Sequence, residues 1–383
     1  MKIGIAGGGL SGRLAAFYLS ESGHDVTVFD SNPSPSPAVG SMRAAAFTAA
    51  GMLSPIAEME SGGDYVRELG ERSLSLWKSL DSRLLKALHG AGFHFDGTLI
   101  RSVTGAPDPL SNPEKIDEHD YGLEHPDDSP LGLRLHDSLM VCHGSDLGAA
   151  ERVLRLLHQD PDRMLKLEAR DIKPLAPQIK GTLHAWLLTG EGHLFPHRAM
   201  RSLLLAQPKT EWAWGVSATG IEPRTIHTPQ GEQRFDWVLD TRGVGAGLDA
   251  RVRGVRGELI VLFAPGFELN RPVRLLHPRW RVYIVPRPGQ QIVIGATEIE
   301  SEDRSPISVQ STMELLSAAF SIFPSLAEAR ILWTDVNLRP ATPDNLPFIE
   351  NQPGLTRING LFRHGWLLAP AVVEKALADA SFS

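Results

Sequence analysis

Gly7, Gly9, Gly12 and Asp30 have the types and the spacing to bind a dinucleotide. The glycines follow the pattern G-x-G-x-x-G. The first makes a tight turn, the second lets the backbone approach a pyrophosphate, and the third lets a helix pack closely on a sheet. The anion would rest on the free N–H groups of the helix start, at Leu10 and Ser11. Asp30, eighteen residues beyond Gly12, is where a carboxylate can accept ribose hydroxyls. Arg339 poses a different question. It stands in "VNLRPATPDNLPFIE" before Pro340, which fixes the backbone and removes a donor, so the arginine is expected in an extended segment. A guanidinium among leucines and prolines is costly unless it meets an anion. Asp335 and Asp344 could supply one in a loop; a substrate could supply another.

The elements around the glycines agree with a dinucleotide site. Lys2 to Ala6 is an apolar run that reads as a buried strand, "SGRLAAFYLSES" as a helix closed by Gly23, and "HDVTVFD" as a second strand ending at Asp30. Farther on, "DWVLDTRGVGA" reads as a strand followed by a glycine turn. "WRVYIVPRPGQQIVIGAT" alternates β-branched residues on both sides of a Pro-Gly turn, which predicts a hairpin. "RHGWLLAPAVVEKALADA" predicts a helix whose N-terminus carries free N–H groups and a positive dipole end.

Composition excludes several classes. A net charge of −7 argues against a nucleic-acid surface. One cysteine, Cys142, leaves no intramolecular disulfide and no cysteine-based zinc site. His193 and His197 have only loose metal spacing, so no metal is expected and both read as loop or pocket-rim residues. No apolar run is long enough for a transmembrane helix, and the first residues leave no room for a signal peptide, so a cytoplasmic location is expected.

A resident flavin is favoured over NAD by the segment after Asp30. Ala44 to Leu53 is built almost wholly of small residues, which let backbone amides approach a flat ring; a tightly packed alanine helix is the competing reading. Here the chain resembles a known family. "FTAAGML" (Phe47 to Leu53), "VYIVPRPGQQIVIGATEIE", "LRPATPDNLPFI" and "LFRHGWLLAPAVVEKAL" are similar, in order, to segments of the D-amino-acid oxidase family, in its glycine oxidase (ThiO-like) branch.

That resemblance implies an α/β fold: a Rossmann-like FAD-binding domain with a discontinuous α+β substrate domain built on an antiparallel sheet. The expected division gives residues 1–85, 141–252 and 333–383 to FAD, and 86–140 and 253–332 to substrate. It further implies that Arg339 holds the substrate carboxylate in a bidentate fork, that Tyr283 touches the same carboxylate, and that Arg363 is a second pocket arginine. Glu298 stands near the substrate where an apolar methionine would be expected. FAD contacts are implied for Gly7, Gly9, Leu10, Ser11, Gly12, Asp30, Ser31, Arg43, Thr48, Ala49, Ala50, Gly51 and Met52. They are also implied for Val216, Thr241, Gly243, Arg339, Arg363, His364, Gly365, Trp366 and Leu367. With Cys142 expected to be packed, the cofactor is expected to be non-covalent.

The implied reaction is oxidation of the C–N bond of a small amino acid or amine by hydride transfer to flavin N5. The imine is then hydrolysed, and O2 is reduced to H2O2. Glu298, His364 in place of an asparagine, Trp366, Ala341 and the short C-terminus depart from the family pattern and leave the substrate open. Two alternatives stand beside it: a flavoprotein that oxidises a partner protein during maturation of the partner's cofactor, and an inactive FAD-binding interaction module. A homo-oligomer is compatible by analogy alone.

Overall fold

The structure, a computed structural model, describes residues 1–38, 41–95, 100–102, 129–157, 162–181, 183–247, 251–277, 279, 281–380 and 382. Two sheets position the site. The first has six strands in the order Glu211–Trp214, Asp25–Asp30, Lys2–Ala6, Trp237–Asp240, Leu355–Asn359 and Phe348–Gln352. Its pairs are parallel except the last. Ile3 and Ile5 are fully buried against the helices Leu10–Glu21, Pro55–Gly90 and Gly365–Asp379. A parallel strand with covered faces needs such a continuous apolar run. Pro55–Gly90 is interrupted at Gly63, whose φ of 59° and ψ of −155° leave the helical region.

The second sheet has eight strands: Arg330–Ala341, Arg253–Phe263, Gln291–Gly295, Arg281–Arg287, Val273–Leu276, Ser138–His143, Leu183–Leu188 and Met164–Leu167. Only Val273–Leu276 with Ser138–His143 is parallel. The predicted hairpin is present, with Tyr283 opposite Gly295. Val309–Ile322 packs its buried face on this sheet.

Ser138–His143, Met164–Leu167, Leu183–Leu188 and Arg330–Ala341 all pair into the eight-stranded sheet. The strand Ser138–His143 is buried on two faces. Leu139 and Val141 pack beneath Val309–Ile322, while Met140 and Cys142 meet Ile56 and Ala57 on the other side. Of the segment 86–140, residues 96–99 and 103–128 lie outside the described residues. Among the described residues no helix is long and apolar enough to cross a membrane.

Candidate active site

The glycine turn is built as its sequence requires. Gly7 has φ 104°, and a β-carbon there would press on the Thr241 backbone at 2.8 Å. One at Gly12 would collide with the Gly7 carbonyl. Thr241 braces the turn, its Oγ1 donating to the carbonyls of Ala6 and Gly7 at 3.0 and 2.9 Å. Asp30 accepts from the Gly8 N–H at 2.7 Å and from Asn32 N–H at 2.8 Å. Ser31 beside it is exposed, and the Val216 N–H donates to the Asp30 carbonyl at 2.9 Å. Gly9 caps the helix Leu10–Glu21 with no side-chain partner and no acid in the first turn. A β-carbon at Gly9 would meet only Ala44, at 3.4 Å. Uncapped N–H groups that face open space fit a pyrophosphate.

The segment of small residues is not a helix throughout. Ala45–Phe47 forms one 3₁₀ turn, and Met52–Leu53 pairs with Gly192–His193. Asp335 pins it, accepting from the Arg43 guanidinium and from Thr48 Oγ1 at 2.6 Å. Asn337 donates to the Arg43 carbonyl and to Thr48 Oγ1, both at 3.1 Å. The side chains of Arg43 and Thr48 are thus committed to the fold, while the Ala50 carbonyl accepts from the Arg287 guanidinium and the Gly51 carbonyl from the Leu194 N–H at 2.9 Å. Gly51 has φ 62°, where a β-carbon would strike the Leu194 carbonyl. The pairing with Met52–Leu53 also buries His193, which is therefore in a strand and not at a pocket rim. Cys142 is fully buried.

Across from this segment, the helix Gly365–Asp379 begins with no side-chain cap and no acid in its first turn. A β-carbon at Gly365 would meet nothing within 4 Å, so open space lies before it. Trp366 fixes the helix start by donating from Nε1 to the Ala46 carbonyl at 3.0 Å, and its own carbonyl accepts from Trp77 Nε1 at 2.9 Å. Leu367 is buried behind it, and Gly243 accepts from Asn359 Nδ2 at 3.0 Å.

Arg339 lies in the edge strand Arg330–Ala341, where Pro340 is tolerated. Its Nη1 donates to the Thr297 carbonyl at 2.9 Å and approaches the Arg256 carbonyl at 3.4 Å. Among the described residues no carboxylate forms an ion pair with it. Asp335 is taken by Arg43, and Asp344 accepts from the Leu346 N–H. Burial draws the guanidinium below its ordinary value, while Tyr283 opposes that shift. Gly257 makes room for it, since a β-carbon there would collide with the guanidinium. Gly295 does the same for Tyr283, whose ring would stand 2.8 Å from such an atom. Burial pushes the Tyr283 phenol upward, so it stays protonated and able to donate.

Arg363 is not free. Its Nε lies 3.1 Å from Glu58 Oε2, and its Nη1 donates to Glu298 Oε2 at 3.0 Å. Glu58 is the hub, paired also with the Arg274 guanidinium and lying 3.1 Å from His364 Nδ1. His364 Nε2 is 3.3 Å from Ser61 Oγ, and the ring is buried. Burial alone would raise the Glu58 carboxyl, but Arg363, Arg274 and His364 outweigh it and hold the group well below the usual carboxylate range. Sequence reading did not find Glu58, Arg274 or Gly257. The acid in "SPIAEMES" carries no local sign of its distant partners, though Gly257 beside Glu258 in a β-branched run was a visible irregularity.

The family model for FAD dependent oxidoreductases, DAO, matches residues 2–379. The chain belongs to this DAO family. A Rhizobium etli protein named as a thiamine biosynthesis oxidoreductase, ThiO, is 32% identical over 380 residues, covering 97% of this chain and 94% of its own. A glycine oxidase of Bacillus licheniformis is 26% identical over 387 residues, covering 97% and 90%. Among solved structures, glycine oxidase from Geobacillus kaustophilus superposes with a TM-score of 0.76 at 22% identity, over 99% of this chain and 93% of that one. This DAO-family chain is an FAD-dependent oxidoreductase with the family's fold.

Gly9→Val is expected to abolish FAD retention by filling the open space before the helix, and Asp30→Ala to weaken it by about 1–3 kcal/mol through lost hydrogen bonds. Dialysis followed by absorbance at the flavin band measures both. Unchanged retention in both variants would place the binding turn elsewhere.

Proposed function

We propose that this enzyme oxidises the C–N bond of a small amino acid or amine, with Arg339 as the receptor of the substrate carboxylate. The observation that carries this reading is a half-buried guanidinium with Tyr283 beside it and, among the described residues, no carboxylate paired to it. A planar fork binds a carboxylate bidentately, and the Tyr283 hydroxyl can donate to the same group. Fixing the carboxylate orients the α-carbon, and orientation of this kind is worth a large share of a bimolecular barrier. Ala50, Leu259, Val261 and Val293 form an apolar wall against Tyr283 that excludes water.

FAD, when bound, supplies the two-electron acceptor. The glycine turn, Asp30, the backbone of residues 49–52 and the start of Gly365–Asp379 are the parts of the chain that would hold it. The positive end of that helix suits a ring gaining negative charge. The substrate α-carbon loses a hydride and its nitrogen a proton, leaving an imine. Water hydrolyses the imine to a keto acid or aldehyde and ammonia, and O2 takes the electron pair with two protons as H2O2. An amine that arrives neutral needs no obligatory base from the chain.

The test is anaerobic mixing of the yellow holoenzyme with a panel of amino acids and amines. Loss of flavin absorbance with a carboxylate-bearing amine is the expected result. A cofactor left oxidised by every member would remove the reading. Acid or heat denaturation should release FAD into solution, because Cys142 is packed away in the sheet. Recovery of NAD would contradict the assignment of FAD, and recovery of FAD only in peptide-bound form would contradict its non-covalent attachment.

A further inference from the structure

Arg363 meets two carboxylates of different kinds. Glu58, buried and shared with Arg274, lies 3.1 Å from it. Glu298 adds a second contact at 3.0 Å but keeps its side chain 47% exposed, with only Oε2 engaged by Arg363. Among the described residues nothing donates to the remaining oxygen, Oε1. Glu298 also directly follows Thr297, the residue whose carbonyl holds the Arg339 guanidinium at 2.9 Å. One short segment therefore sets a half-exposed carboxylate next in sequence to the residue that holds a cation with no carboxylate paired to it among the described residues.

We propose that Glu298 selects substrates bearing a second positive charge, so that diamino monocarboxylic acids are preferred over amino dicarboxylic acids. This rests on Arg339 being the carboxylate receptor. A ligand with a carboxylate on Arg339 and a cation toward Glu298 satisfies both groups. A second carboxylate on the ligand would face Glu298 as a like charge, an arrangement that discriminates strongly in a partly desolvated site.

Racemic ornithine, norvaline and glutamate test the turnover arm, since they share a backbone and differ in the charge of the side chain. The parent holoenzyme should show kcat/KM for ornithine at least about tenfold above glutamate, with norvaline between them. Glu298→Gln should bring the ornithine to norvaline ratio close to one, and Glu298→Asp should keep part of the preference. The binding arm uses flavin absorbance perturbed by 4-trimethylammoniobutyrate, butyrate and glutarate, which cannot form an imine. It should give the same order in the parent and lose it in Glu298→Gln. A parent without this order in binding, or a ratio untouched in Glu298→Gln, overturns the proposal. If the binding order appears and none of the three amino acids reduces the flavin, charge selection stands and the amine-oxidation reading falls.

Discussion

Arg339→Ala is expected to lower kcat/KM by roughly two to four orders of magnitude on any carboxylate-bearing substrate, because removing one partner of a desolvated pair costs about 3–5 kcal/mol. The guanidinium is held by backbone carbonyls, Thr297 at 2.9 Å and Arg256 at 3.4 Å, so no buried acid is orphaned by the change. Stability should therefore change little while activity collapses. Lysine should rescue only partly, supplying charge without the planar fork. Glycolate and acetate should perturb the flavin absorbance of the parent and leave that of the variant untouched. Gly257→Ala offers an independent check: its added methyl would collide with the guanidinium, and carboxylate binding should weaken although Arg339 is chemically intact. Undiminished carboxylate binding in Arg339→Ala would return the arginine to a purely structural role.

The legible parts of this protein were those whose chemistry is local. The glycine turn, its two strands and Asp30 are recognisable because the tight turn, the close approach and the helix packing each demand a residue type at a fixed offset. Arg339 stood out for the same reason: proline follows it and apolar residues surround it, so its need for an anion was visible before any partner was. The competing partner, Asp335, was visible too, but its commitment to Arg43 and Thr48 depends on the path of a distant segment. Arg363 illustrates the opposite limit. Its place beside the C-terminal helix was readable, whereas its saturation by Glu58 and Glu298 comes from two other elements that meet only in the fold. Sheet membership is another property that only the fold decides. "SLMVCH" reads as an apolar strand in either sheet, and only its pairing with Val273–Leu276 and Leu183–Leu188 decides between them.

Glu58→Ala should be the most destabilising single change at the site. The carboxylate is buried and compensates Arg274 and Arg363 together, with His364 at 3.1 Å, so its removal leaves the Arg274 guanidinium without the carboxylate it pairs with and Arg363 with the half-exposed Glu298 alone. Breaking a buried pair in this way costs about 3–5 kcal/mol. Urea unfolding of the holoenzyme should show a lower midpoint with an unchanged slope. The pH dependence has a definite sign. Because the folded carboxyl is held well below its ordinary value, its contribution is present above the unfolded value of about 4.3 and is lost as pH falls from there through the folded value. Glu58→Gln lacks the titrating group but keeps the shape. The stability gap between parent and Glu58→Gln should accordingly be widest near neutral pH and narrow on acidification below about pH 5. A gap that stays constant from pH 7 to pH 3 would mean that Glu58 acts through packing alone, and the charge hub would lose its electrostatic role.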